Sequence, residues 1–483
     1  MSKIVKNTFI YTVGNVLPAA ASFILLPIYT LYLSPSNYGI IESVNALNPI
    51  LVILFSLCFG ASIFRLFYDY KTVEQQKEFF GTLFISTTVS SLFFLFLILL
   101  FHKNVEHIYK SIAFNPYYLY MIITVFVSNF FDLPQKYLML KDKARWYIAL
   151  SLLQFVITSA LILFFIINRK EGATGYLKAG LICSLVLLPI YLVISCKIIR
   201  FKFSFAIFKN LLSFSLPLIP TLLSAWVLNL SNRIFIERYF STIDVGIYSL
   251  AYKIAGVVLI IVSSFNMAYR PAFFQYSNDI DVQRGRDSIY KYNYLFLLVF
   301  IIIVFITALF AEEIIVILFS TKYKDAFQYV PLIAFSYLLG VAGGFTGRFF
   351  EQSKKMKQNM FISIGMACLN VILNFLLIPS MGVYGAIFAT IISLLIGFIF
   401  AYFYTKRNCY FVPFNWKILF PVAGSLILIV IVFQYIIDIQ NIYLSLSIKI
   451  IVAGFIGLFL LRKYYKELKS IFGFPTKNWN ILK

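Results

Sequence analysis

Fourteen long apolar segments joined by short connections leave this chain only one kind of solvent. A helix that crosses a bilayer needs about 20 apolar residues. Such runs lie near 8–33, 40–64, 80–101, 117–138, 147–167, 177–196, 213–236, 246–268, 293–311, 326–350, 359–378, 384–404, 418–437 and 444–462. Lipid cannot satisfy backbone N–H and C=O groups, so the predicted fold class is all-α, a polytopic membrane protein. Hydrophobic residues make up 61% of the 483 and charged residues only 12%, too little charge to cover a water-exposed surface. The first segment is longer than a signal-peptide core and has no small-residue cleavage pattern, so no leader is expected.

Orientation follows from the basic residues. Of the 41 lysines and arginines, 28 fall in the N-terminal stretch, the C-terminal tail and every second connection, and 7 in the opposite connections. Basic residues favour the cytoplasmic side, so both termini are expected there. The net charge of +22 then belongs in loops against anionic headgroups, and nucleic acid is not an expected partner. The longest cytoplasmic link is expected between Tyr269 and Lys291. No connection could hold a nucleotide-binding domain, and no phosphate-loop motif occurs. No large outward loop is present to carry the catalytic residues of a membrane glycosyltransferase or polymerase. Cys58, Cys183, Cys196, Cys368 and Cys409 are scattered, and His102 and His107 share one loop with only Glu106. No disulfide framework, metal site or cofactor is expected.

One stretch occurs twice. Leu31 to Glu42 reads LYLSPSNYGIIE, and Arg238 to Ser249 reads RYFSTIDVGIYS. At a spacing of 207, Tyr32 falls on Tyr239, Ser34 on Ser241 and Gly39 on Gly246. Each copy follows a long apolar segment with two prolines. A unit repeated after an even number of crossings keeps its orientation, which predicts two parallel halves facing each other across a central cavity. That is the plan of a transporter.

The prolines are Pro18 and Pro27 in the first segment and Pro217 and Pro220 in the seventh. Each removes a backbone hydrogen bond. Two readings stand, hinges for alternating access and static kinks that shape packing. Charge inside a span is costly unless it faces protein or water. Lys253 lies seven residues past Gly246, about 10 Å along a helix, too deep for easy snorkelling, and is read as a cavity-facing cation. Arg233, flanked by Asn229, Ser231 and Asn232, and Arg348, within GGFTGR, lie nearer segment ends, where snorkelling competes. Arg65 is read as substrate-facing or as an interfacial anchor. Asp132 and Lys136, four apart with the acid first, suit a helical ion pair. Glu42 is the other interior acid, and Glu42 and Asp132 are the candidates for ion coupling. The substrate-facing set of Lys253, Arg233, Arg348 and Arg65 is cationic and would select an anion, with guanidinium groups suited to phosphate.

These residues resemble the polysaccharide-export flippases of the Wzx type, in the superfamily that includes MATE drug exporters and lipid II flippases. The resemblance rests on Tyr32 to Gly39, on Asn232-Arg233 and Val245 to Ala255, and on Gly382-Val383-Tyr384-Gly385-Ala386. It implies fourteen transmembrane helices in a V shape. Two six-helix bundles, 1–209 and 210–405, would be followed by two further helices and a tail in 406–483. It also implies a non-enzymatic carrier moving undecaprenyl-diphosphate-linked oligosaccharide from the cytoplasmic to the periplasmic leaflet of a bacterial inner membrane. The pathway would be O-antigen, capsule or a related polysaccharide. A polysaccharide polymerase and a chain-length regulator are the implied partners. The family often has Asp-Arg where this chain has Asn232-Arg233, which weakens ion coupling at that position. The rivals are a MATE-like drug/cation antiporter, a membrane glycosyltransferase or polymerase, and a non-transporting assembly subunit.

Overall fold

A computed structural model describes residues 23–437 and 441–472. Among these, all regular structure is helical, as lipid solvation requires. Twelve helices are long and apolar enough to cross a membrane, the first Pro35–Ser56 and the last Ile442–Phe459. The protein is therefore a multi-pass membrane protein. Two of the expected segments are not among the twelve. Leu119–Leu140 is a continuous helix of 22 residues, but Asp132, Gln135 and Lys136 make it the more polar one. Phe23–Tyr32 is apolar and short, and the rest of the first segment, Pro18 included, lies outside the described residues.

The expected link between Tyr269 and Lys291 is not a loop. Helices Val257–Ser277 and Val282–Leu309 leave only four residues between them. Asp281 caps the second by accepting from the N–H groups of Gln283 and Arg284, both at 3.1 Å. Charged residues hid this extension, because a helix that leaves the bilayer keeps its hydrogen bonds but loses its apolar periodicity. For the same reason the seventh segment begins early, at Phe205.

Pro35–Ser56 and Phe59–Leu66 are separated by Leu57 and Cys58, with φ of 45° and 59°. For L-residues that conformation costs roughly 1–2 kcal/mol each. Side chains take up the freed backbone groups. Ser90 and Ser91 donate to the Phe55 carbonyl at 2.5 and 3.0 Å, and Ser56 Oγ accepts from the Cys58 N–H at 3.1 Å.

Packing divides the chain into two compact units, with most boundaries inside helices. Of the described residues, the first contains 23–249, Phe319–Tyr323 and Ser363–Thr390. Its core is built around Phe55 and Tyr118, around Phe59, Phe79 and Phe80, and around Phe131 and Tyr191. The Phe131 and Tyr191 rings stack at 4.1 Å. The second contains Leu250–Leu318, Lys324–Ile362 and the described residues of 391–472. Tyr269, Phe273, Phe300, Phe349 and Phe414 anchor its core.

Candidate functional site

Within the first unit the two copies of the repeat pack on each other. A Cβ on Gly39 would lie 1.7 Å from the Thr242 carbonyl oxygen, and one on Gly246 would lie 2.1 Å from that of Pro35. Positions 35 and 242 correspond under the spacing of 207, as do 39 and 246, so the contact is reciprocal. Only glycine lets the backbones approach this closely. The local caps also correspond. Ser34 Oγ accepts from the Asn37 N–H at 3.2 Å, and Ser241 Oγ accepts from the Asp244 N–H at 3.3 Å. Ser36 and Thr242 hydroxyls join across the contact at 2.8 Å.

Arg233 is held at this junction. Its Nε donates to Ser249 Oγ at 3.1 Å and its Nη1 to the Asn229 carbonyl at 3.2 Å. Nη2 lies 3.9 Å from Glu42 Oε2, with both side chains buried. Glu42 and Ser249 are the same position in the two copies of the repeat, so one guanidinium reads both. The cation and the acid named separately from sequence are thus each other's counterion. At 3.9 Å the pair is loose, and Arg233 is bound as much by neutral acceptors as by charge.

Next to Arg233 lies a buried amide network that the sequence did not reveal. Asn232 Nδ2 donates to Tyr248 Oη at 3.1 Å, to the Ala386 carbonyl at 3.3 Å and to Thr390 Oγ1 at 2.9 Å. Asn374 Nδ2 donates to Asn232 Oδ1 at 2.9 Å and to Asn370 Oδ1 at 3.1 Å. The available signal was Asn370 and Asn374 four apart in an otherwise apolar segment. Glu237 was also overlooked. Its carboxylate, 1% exposed, accepts from the backbone N–H groups of Lys110 and Ser111, each at 2.7 Å, and from the Ser111 hydroxyl.

The same unit has an open cavity of about 450 Å³, lined by both polar and apolar side chains, beside the break at Leu57 and Cys58. Asp132 and Lys136 line it as an ion pair, with Lys136 Nζ 2.7 Å from Oδ1 and 2.8 Å from Oδ2. Pro217 falls in a 3₁₀ turn, Leu216–Leu218, that interrupts the seventh segment, and Pro220 opens the helix that follows. Pro27 lies within Phe23–Tyr32. Arg65 is exposed and pairs with Asp69 at 3.2 Å.

In the second unit Arg348 is buried in the helix Val330–Gln352. Its guanidinium sits 4.8 Å from the Tyr269 ring centroid and 4.9 Å from that of Phe345, favourable cation–π geometry. Nη2 donates to Asn266 Oδ1, while Nη1 is buried with no hydrogen-bond partner among the described residues. Lys253 is exposed near the end of Thr242–Ala255. A second buried ion pair, Lys449 with Glu313 at 2.7 Å, fixes the last long helix to Ala311–Leu318 and was not foreseen. This unit also has an apolar groove of about 540 Å³ lined by Leu338, Phe398, Trp416 and Phe420 among others. Among the described residues no group of three His, Cys, Asp or Glu side chains could hold a metal ion.

Comparison with known proteins gives the family. The model of the family described as polysaccharide biosynthesis protein matches residues 4–277, more than half of the chain. The chain belongs to the polysaccharide biosynthesis protein family. The MatE family model matches residues 217–376. Lsg locus putative protein 1 of Haemophilus influenzae is 24% identical over 282 residues, covering 56% of this chain and 66% of that protein's length. Among solved structures, lipid II flippase MurJ in an inward closed conformation is similar with a TM-score of 0.71 and 14% identity. The match covers 96% of this chain and 99% of that one. An inward-facing multidrug resistance MATE family transporter has a TM-score of 0.58 at 14% identity, covering 80% and 94%. At these identities the structural likeness establishes the fold, which this family member shares with both.

Proposed function

We propose that the chain is a flippase, moving an undecaprenyl-diphosphate-linked oligosaccharide from the cytoplasmic to the periplasmic leaflet of a bacterial inner membrane. It changes no covalent bond, and it works by alternating access between two halves, 1–209 and 210–405, with 406–483 appended. One combination carries this reading. A polysaccharide biosynthesis family member has, over nearly its full length, the fold of a protein that flips a lipid-linked glycan. The charge distribution supports it, because Lys253 and Arg348 in the second unit offer a diphosphate favourable partners, while Arg233 would have to exchange Glu42 and Ser249 for phosphate oxygens. The apolar groove of the second unit has the chemistry to accept an isoprenoid chain. Arg65, engaged by Asp69, contributes at the entrance. Interruption of the seventh segment beside Pro217 suits a hinge, with Pro18, Pro27 and Pro220 in the same role. Glu42 is committed to Arg233 and Asp132 to Lys136, so an ion coupled through either acid would compete with a resident cation. A polysaccharide polymerase and a chain-length regulator would receive the product.

The match to the MatE family over 217–376 favours a second reading, export of cationic drugs. The cationic side chains argue against it by repulsion. Lys253 gives the test. Lys253→Ala should abolish or strongly reduce surface glycan while the protein still inserts, and Lys253→Arg should partly restore it. Normal glycan in the Ala variant would remove Lys253 from the path.

A further inference from the structure

We propose that the cavity beside Asp132 and Lys136 is a neutral-sugar subsite, which binds hydroxyl and amide groups of the carried glycan. It takes neither the diphosphate linker nor a coupling cation. This deepens the carrier reading above and rests on it. The cavity, about 450 Å³, falls in the range of small-ligand pockets, and its walls all belong to one compact unit.

The polar groups on its walls are poised for a ligand that both donates and accepts. Asn129 Nδ2 is anchored on Ser91 Oγ at 2.7 Å, and Gln135 Nε2 on Tyr191 Oη at 3.0 Å. Anchoring the amide nitrogens fixes where Asn129 Oδ1 and Gln135 Oε1 sit, and these oxygens accept from no protein donor among the described residues. The side chains of Asn48, Ser128 and Gln154, half-buried on the same walls, likewise have no hydrogen bond to protein among the described residues. Sugar hydroxyls meet such a set of acceptors and donors in either sense. Val125, Phe131 and Leu222 add apolar wall for the C–H faces of a ring.

Charge excludes the other occupants. Lys136 Nζ contacts both oxygens of Asp132, at 2.7 and 2.8 Å, so the pair presents no net charge. A diphosphate there would have to displace the carboxylate, and a metal cation the ammonium. A hydroxyl displaces neither, since it can donate to a remaining carboxylate lone pair and accept from a remaining ammonium proton. Gly60 sets the position of the pair. A Cβ there would lie 2.0 Å from Asp132 Oδ2 and 2.2 Å from Lys136 Nζ, so the pair rests on the backbone just past the helix break at Leu57 and Cys58.

The test uses the full chain in vesicles, with its five cysteines replaced and Thr124→Cys added as a reporter on the cavity wall, where the native hydroxyl bonds only its own helix. The rate of maleimide labelling is measured with four additions. These are the lipid-linked glycan extracted from cells that make it, its sugar freed by mild acid, sugar-free undecaprenyl diphosphate, and sodium chloride. The glycan and the freed sugar should both slow labelling, and the other two should leave it unchanged. Asp132→Asn should raise the freed sugar needed for half-protection about tenfold, the loss of one hydrogen bond to a charged group, and Gly60→Ala, which pushes the tips of Asp132 and Lys136 aside, should raise it by a smaller factor. Gly60→Ala keeps every charge and carries the comparison if Asp132→Asn fails to insert. Protection by undecaprenyl diphosphate or by sodium alone would overturn the proposal. So would unprotected labelling in a protein that moves the lipid-linked glycan, a result that leaves the carrier reading intact. Protection by the freed sugar in a protein that moves no lipid-linked glycan would support the subsite and sink the carrier reading.

Discussion

Arg233 contacts Glu42 on one copy of the repeat and Ser249 on the other, so it reports on how the two copies sit together. Removing one member of a buried pair costs roughly 3–5 kcal/mol, since the remaining charge is left uncompensated. Arg233→Ala should therefore lower the thermal unfolding temperature in detergent and abolish export, whereas Arg233→Ala combined with Glu42→Gln should recover stability and not export. Equal destabilisation in the single and double variants would mean that the charge of Glu42 does not matter to Arg233. Arg233 and Glu42 could each be named from sequence, because a charge in an apolar run has few reasons to be there. Their pairing could not, since 191 positions separate them and nothing local records the contact. Asp132 and Lys136 were legible as a pair because a spacing of four places two side chains on one helical face. Glu237 was not, because two of its partners are backbone N–H groups at Lys110 and Ser111, which almost any sequence would supply, and the third, the Ser111 hydroxyl, lies 126 positions away.

The repeated stretch is the element on which the first unit turns. Gly39 and Gly246 each lie against a carbonyl of the other copy, at 1.7 and 2.1 Å from an added Cβ. Backbone atoms cannot swing aside as a flexible side chain can, so either alanine forces the helices apart. Overpacking of this kind costs roughly 1–3 kcal/mol, and here it also shifts the junction that holds Arg233. Gly39→Ala and Gly246→Ala should each insert normally in the membrane yet reduce glycan export strongly, with the double variant no worse than the worse single. Wild-type export from either would show that the contact is not held during the cycle. This element was readable because its glycines and serines recur at one spacing. Elements with charged ends were misjudged in extent. The segment after Tyr269 remains helical through Ser277 and resumes at Val282, although Arg270, Asp279, Arg284 and Arg286 give it the look of a loop.

At the scale of the molecule, topology and transport direction are the claims with the most at stake. We propose from the basic-residue bias that both termini lie on the cytoplasmic side and the stretch from His102 to Asn115 outside. In a background without other cysteines, Lys110→Cys should react with an impermeant reagent added to intact cells, and Lys355→Cys should react only after the membrane is opened. Reaction of both from outside would contradict the orientation, and with it the parallel relation of the halves. The central claim is that the chain moves a lipid-linked glycan by its diphosphate linker. Charge-assisted contacts to a phosphate are roughly twice as strong as neutral hydrogen bonds, so the linker should outweigh any single sugar hydroxyl. The most direct measurement is transbilayer movement in vesicles containing the purified chain, with a polyprenyl-diphosphate glycan, the matching free oligosaccharide and a hydrophobic cationic drug as separate substrates. The account predicts rapid movement of the lipid-linked glycan, a weak response to the free sugar and none to the drug. Movement of the drug with no response to the diphosphate lipid would contradict it.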